Sequence, residues 1–169
     1  MSASLHNALI ERFYAAFAAL DGAAMQACYA EDARFEDPVF TLQGRAQIGS
    51  MWRMLCDATK AKGRDAWKLE LGDHSADADG KGRAHWEAHY RFSASGRMVH
   101  NIVEAQFGLR DGLIATHADH FDFWRWSRQA LGVGGTVLGW SPFLRHRVQA
   151  KAAANLAAYR GRHPAGARR

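Results

Sequence analysis

Residues 29–39 read Tyr-Ala-Glu-Asp-Ala-Arg-Phe-Glu-Asp-Pro-Val, and in this stretch the hydrophobic period of the chain changes. Upstream, Leu5, Leu9, Phe13, Phe17 and Leu20 recur at helical spacing, which predicts an amphipathic helix over residues 5–20. Asp21-Gly22 ends it, and Asp21 is placed to cap a second short helix bearing Met25, Cys28 and Tyr29. Within 29–39, Ala33, Phe35 and Asp37 alternate with Arg34 and Glu36, the period of a strand, and Pro38 stops it. Gly44 then opens a third helix, with Ile48, Met51, Trp52 and Leu55 on one face.

Downstream the alternating period takes over. Trp67, Leu69 and Leu71 form one strand face; Trp86, Ala88, Tyr90 and Phe92 form another. Val99, Asn101, Val103, Ala105, Phe107 and Leu109 form the apolar set of a long strand. The hairpin signal Asp111-Gly112 leads into a last strand over about 113–124, and residues 73–82 read as a polar turn. Helices first and strands afterwards predict an α+β domain, three N-terminal helices packed on one face of a curved antiparallel sheet. A pocket domain over 1–128 is expected. Residues 129–169 are read as a Gly-rich joint, a basic C-terminal helix starting at Ser141-Pro142, and a disordered tail.

The bulk properties narrow the function classes. With 48% apolar residues, six Trp and nine Phe in 169 residues, the chain builds a core without metal or disulfide. Cys28 and Cys56 lie in helical patterns with no Cys-x-x-Cys pairing, which suits reduced packing cysteines. With no secretory signal and no apolar run long enough for a span, a cytoplasmic protein is expected. The net charge of +5 is uneven: up to Asp122 there are 13 Lys/Arg against 17 Asp/Glu, and after it 9 against 0. A slightly acidic body argues against nucleic acid as a partner.

Several phrases together resemble the SnoaL-like branch of the nuclear-transport-factor-2-like superfamily. They are Arg12-Phe13-Tyr14-Ala15-Ala16-Phe17, Tyr29-Ala30-Glu31-Asp32-Ala33 followed by Glu36-Asp37-Pro38-Val39, and Asp111-Gly112-Leu113-Ile114 running into Asp119-His120-Phe121-Asp122. The resemblance covers about residues 5–125 and implies a cone-shaped sheet with a pocket between helices and sheet, and a homodimer through the sheet's outer face. Its members include ketosteroid isomerases, polyketide cyclases, epoxide hydrolases, dehydratases and non-catalytic binding modules, so the shape alone names no reaction.

Asp37 is the first candidate. Parity places it on the apolar side with Ala33 and Phe35, where desolvation raises a carboxyl's pKa and makes it a better base near neutral pH. Resemblance adds that the aspartate of the similar isomerase phrase is the proton-shuttling base. The plainer reading is a strand-end turn cap, as Asp before Pro commonly is. Against a true ketosteroid isomerase, that family's oxyanion tyrosine falls on Phe13, beside Tyr14, and its protonated aspartate falls near Ala105.

On the last strand His117, Asp119 and Phe121 share one face, which the family offset aims into the pocket. His117 and Asp119 are therefore the candidate acid–base partners, set against a His–Asp bond that only stiffens the barrel. Asn101 and Tyr14 are candidate orienting donors, and Trp52, Trp86 and Phe121 candidate lining residues. No cofactor or metal is expected. His85 and His89, four apart on a strand, lie roughly 13 Å apart, and His117-x-Asp119 has no evident third ligand.

The expected function is cofactor-independent acid–base chemistry on an apolar, carbonyl-bearing small molecule. The alternatives are a non-catalytic ligand-binding module and a dimeric module associated with a membrane through its C-terminal helix. That helix has a first reading as a cover for the pocket mouth or a dimer partner; an anionic membrane surface is the less favoured one.

Overall fold

In a computed structural model, which describes residues 2–163, the helices and strands fall in the predicted order. Helix α1 spans Ala3–Ala18 and α2 spans Gly22–Ala27, with the Asp21 carboxylate accepting from the N–H groups of Ala23 and Ala24. Strand β1 (Tyr29–Glu36) turns into a three-residue β2 (Thr41–Gln43), which the sequence reading does not contain. Helix α3 (Arg45–Lys62) follows, and then β3 (Lys68–Ala76), β4 (Lys81–Arg91), β5 (Met98–Arg110) and β6 (Leu113–His120).

The sheet is a curved, open layer of six strands in the order β2-β1-β6-β5-β4-β3. It is antiparallel except at one junction, where β1 and β6 run parallel and set Phe35 opposite His117. The predicted β5–β6 turn is confirmed in its chemistry: Asp111 and Gly112 both have positive φ, 54° and 75°, which a two-residue hairpin of this hand requires. The polar turn is shorter than read, because β3 and β4 pair as far as Ala76 and Gly82.

Burial follows strand parity. On β5, Val99, Asn101, Val103, Ala105, Phe107 and Leu109 are buried and their neighbours are more open. Val103, Ala105, Phe107 and Leu109 meet Leu9, Ile10, Phe13, Tyr14 and Phe17 of α1 and Ile48, Met51 and Trp52 of α3 in one core. The rings within it meet mostly edge to face, Phe13 alone facing Tyr14, Tyr29 and Trp52 at 5.2–5.7 Å.

The last strand departs from expectation at its end. It stops at His120, and Asp122 caps helix α4 (Phe123–Leu131) through the N–H of Arg125. The boundary drawn at 128/129 thus falls within α4. The expected Gly-rich joint is helical over α5 (Val133–Leu138), and α6 (Pro142–Arg162) starts where Ser141-Pro142 predicts, with the Ser141 hydroxyl accepting from the N–H of Leu144. Phe123, Trp126 and Ala130 of α4 form a second, smaller cluster with Val99. Val39, Tyr90, Phe121 and Val148 pack around it, closing the end of the sheet nearest the Asp37 turn. The tail read as disordered, 164–169, lies outside the described residues.

Candidate functional site

His117 is completely enclosed. Phe13, Phe35 and Phe107 stand around its ring at centroid distances of 5.4, 5.1 and 4.4 Å, and Trp52 stacks nearly parallel at 6.2 Å. Both ring nitrogens are engaged: Nδ1 lies 2.6 Å from the Tyr29 hydroxyl, and Nε2 lies 3.0 Å from Oδ1 of Asp119. The Trp52 indole N–H donates to the Tyr29 oxygen at 3.0 Å. Because an indole only donates, the Tyr29 proton is free to go to Nδ1, so in neutral His117 the Nε2–H donates to Asp119. This order leaves each hydrogen-bonding group in the chain Trp52–Tyr29–His117–Asp119 with a partner. Burial pushes the Tyr29 hydroxyl well above its ordinary pKa, which keeps the donated proton in place.

Asp119 receives a second, longer contact from the Trp86 indole at 3.5 Å. Tyr14 lies close enough for the Asp119 charge to act on it, with its ring 6.0 Å from Trp86. Its hydroxyl is buried with no hydrogen-bond partner among the described residues. Burial, then Asp119, pushes its pKa well up, so it stays a neutral donor. An orphaned buried hydroxyl costs about 1–3 kcal/mol.

Asp37 reaches the same interior by a route parity does not describe. It lies one residue past β1, in the turn to β2, where its N–H donates to the Phe40 carbonyl at 2.9 Å. Its Oδ1 accepts from the N–H groups of Val39 at 2.7 Å and Phe40 at 2.5 Å. The turn-cap reading therefore holds as geometry. Even so, burial pushes the carboxyl up to about 7; the two turn N–H groups oppose this, the Asp119 charge adds to it, and His117 opposes it. Asp37, His117 and Asp119 thus share one electrostatic environment.

The other predicted residues divide. Trp52 and Trp86 are core residues whose indoles serve the polar chain. Asn101 is buried on the inner face opposite Ala88, and no side-chain hydrogen bond is formed by it among the described residues. Phe121 is half-buried past the end of β6 and packs against both apolar clusters. Sequence reasoning missed two tyrosines. Tyr90, whose hydroxyl accepts from the Trp126 indole at 2.9 Å and feels the Asp37 charge, shares parity with Trp86, a signal that was available. Tyr29 gave none, because its place beside His117 depends on the parallel pairing of β1 with β6.

Aromatic side chains line His117 at the distances given above. A groove of about 360 Å³ lies at the rim, between Val39–Leu42 and the α6 residues Gln149, Ala153 and Leu156. Gln149 donates to the Pro38 carbonyl at 3.1 Å, so α6 is held against the Asp37 turn.

For a metal, the nearest set of donors lies on the opposite, outer face. Glu87, His89 and His100 hold donor atoms within 4.8 Å of one another. Cross-strand register brings His89 beside His100, which spacing along one strand does not reveal. The two imidazoles stack at 4.0 Å and 13°, so their lone pairs lie in near-parallel planes. The His100 Nε2 is already paired with Glu87 at 2.5 Å.

The match of residues 10–117 to the SnoaL-like domain shows that the chain belongs to that family. No curated protein sequence matches it. Among solved structures it is similar to a polyketide cyclase candidate from Xanthomonas campestris pv. campestris, at 24% identity and TM-score 0.60, covering 76% of this chain and 98% of that one. It is also similar to a LEH-like epoxide hydrolase of M. tuberculosis, at 17% identity and TM-score 0.62 (80% and 97% covered). A third is a Catenulispora acidiphila protein of ketosteroid isomerase-like fold in complex with trimethylamine, at 15% identity and TM-score 0.61 (79% and 97%). At these identities the likeness is one of fold. Among the described residues, no helix is long and apolar enough to cross a membrane.

Proposed function

We propose that the protein binds an apolar, carbonyl-bearing small molecule and moves a proton on it without a cofactor. The observation that carries this reading is the Asp37 carboxyl, raised by burial to about 7 and acted on by the charges of the buried His117–Asp119 pair. A base of that pKa is half ionised at neutral pH and strong enough to take a proton from an activated carbon. In this reading Asp37 removes the proton through Oδ2, the oxygen the turn leaves free. His117 and Asp119 answer charge changes from beneath, and the unpaired Tyr14 hydroxyl donates to the developing oxyanion. Fold neighbours that include a polyketide cyclase candidate and an epoxide hydrolase are compatible with such chemistry.

The test is deuterium uptake. Apolar ketones and esters are incubated with the protein in D₂O, and exchange at the carbon beside the carbonyl is read by mass spectrometry. Exchange by the wild type that Asp37→Asn abolishes supports the proposal; equal exchange by both removes Asp37 from the chemistry. A second reading, ligand binding without catalysis, is favoured by the satisfied state of both His117 nitrogens. It predicts a ligand retained in native mass spectrometry, no exchange, and unchanged retention in His117→Ala.

A further inference from the structure

Of the nine large apolar side chains exposed among the described residues, six fall between Trp124 and Phe143. Val133 is 82% exposed, Trp140 73% and Phe143 62%. The packing of α5 on α4 explains why they face outward. A Cβ on Gly135 would collide with the carbonyl oxygen of Ser127, and one on Gly139 with the Ser127 hydroxyl. Only glycine permits that approach, so the glycine side of α5 is the buried side. At 100° per residue, Val133 and Val137 fall within about 40° of one another on the opposite side, and Trp140, just past the end of α5, is exposed beside them. Trp140 is held there by its indole N–H, which donates to the Val137 carbonyl at 2.9 Å.

The charge along this part of the chain has one sign. Residues 129–144 contain no charged side chain, and no Asp or Glu follows Asp122. The patch is bordered by Arg128, whose guanidinium stands 4.3 Å over the Trp124 ring, and by Arg147, 5.7 Å from the Phe143 ring. Arg145 lies between them in sequence, 5.2 Å from the Phe123 ring. A dense apolar patch of this kind marks a contact surface. A second copy of the chain is a poor occupant, because a two-fold contact would bring the same arginine rims together, and the chain after Asp122 offers no carboxylate to pair with them. An anionic bilayer answers both features, taking aromatic and aliphatic side chains into its interface and pairing arginines with phosphates.

We propose that α5 and the first turns of α6 dock on an anionic lipid surface, with Val137, Trp140 and Phe143 entering the interface and Arg128, Arg145 and Arg147 contacting phosphates. The contact is interfacial, since α6 is too polar to span. It does not depend on the pocket chemistry.

The test is flotation of the full chain with phosphatidylcholine vesicles, with and without one third phosphatidylglycerol. The expected result is flotation with the anionic vesicles only, weakened by salt. Val137→Ser/Trp140→Ser lowers the affinity by more than about tenfold. Arg145→Gln/Arg147→Gln lowers it by roughly 25-fold at low salt. All four side chains are exposed, so melting temperatures should match the wild type; that check separates loss of docking from loss of fold. Equal flotation on neutral vesicles, or equal flotation of well-folded variants, overturns the proposal. So does a wild type that ignores both vesicles yet sediments as a dimer that Val137→Ser/Trp140→Ser dissolves, which would give the patch to a second copy.

Discussion

Replacing Asp37 by Asn separates the cost of burying this carboxyl from everything else in the site. The amide oxygen of Asn can still accept from the N–H groups of Val39 and Phe40, so the turn is kept while the titratable proton is removed. In the folded wild type the carboxyl titrates at about 7, against an ordinary 3.8. The folded-state value is raised, so between those two pH values the folded chain holds a proton that the unfolded chain has released. Stability from this group is complete below pH 3.8, declines by about 1.4 kcal/mol per pH unit through the window, and levels off above about 7. The full shift corresponds to a ceiling of about 4 kcal/mol; residual solvent contact at the half-buried side chain brings the expected effect to about 2–4 kcal/mol. For a chain of this length that is a rise in Tm of roughly 5–12 °C for the variant at pH 8, shrinking toward zero at pH 4. Thermal melts of both proteins across that range, followed by circular dichroism, give the difference curve, in which titrations common to both cancel. A difference that stays flat with pH, or a variant less stable at pH 8 than at pH 4 relative to wild type, would refute the desolvated-carboxyl argument and with it the case for Asp37 as a base.

Three other perturbations test the polar interior and the C-terminal packing. Tyr14→Phe removes a buried hydroxyl without a partner; urea unfolding should show a gain of up to about 1 kcal/mol, and a loss would mean the hydroxyl is bonded in solution. Tyr29→Phe strands the Trp52 N–H and a nitrogen of His117 together; the same measurement should show a loss of about 2–4 kcal/mol, and a neutral result would break the proposed proton order. Gly135→Ala pushes α5 away from the Ser127 carbonyl; hydrogen exchange should quicken in α5 while the β4–β5 amides are unaffected, and unchanged α5 protection would show that the contact is looser than described.

Parity along the strands was enough to place the inward faces of β4, β5 and β6, because each has one side turned to the helices and one to the outside. The pair His117 and Asp119 was legible for that reason, and so was the buried position of Asn101. Strand parity does not describe Asp37: it sits beyond the end of β1, half-buried in the β1–β2 turn, where two N–H groups grip its carboxyl. Contacts that depend on how strands meet left no mark in any single segment. The parallel junction of β1 with β6 brings Tyr29 to His117, and the β4–β5 register stacks His89 on His100; both are pairwise facts. The glycines at 132–135 read as a joint because local preference points to flexibility, whereas in the structure residues 133–138 are helical and the missing Cβ of Gly135 lets α5 close on α4.

The polar chain and the C-terminal helices constrain each other. The apolar residues at the Asp37 end of the sheet, Val39, Tyr90, Phe92 and Val99, would face water if α4 and α6 were absent, and an exposed Asp37 would lose the desolvation that raises its pKa. Phe123, Trp126 and Val148 supply that cover, and the Trp126 indole spends its N–H on Tyr90, the residue whose hydroxyl feels the Asp37 charge. The carboxyl's basicity is therefore a property of the closed arrangement. Any ligand reaching Asp37 through the rim groove must pass beside α6 and will replace part of that cover with its own apolar surface. In the proposed chemistry, a small polar solute that let water in with it would lower the carboxyl's pKa and weaken it as a base, so the burial of Asp37 would favour an apolar substrate.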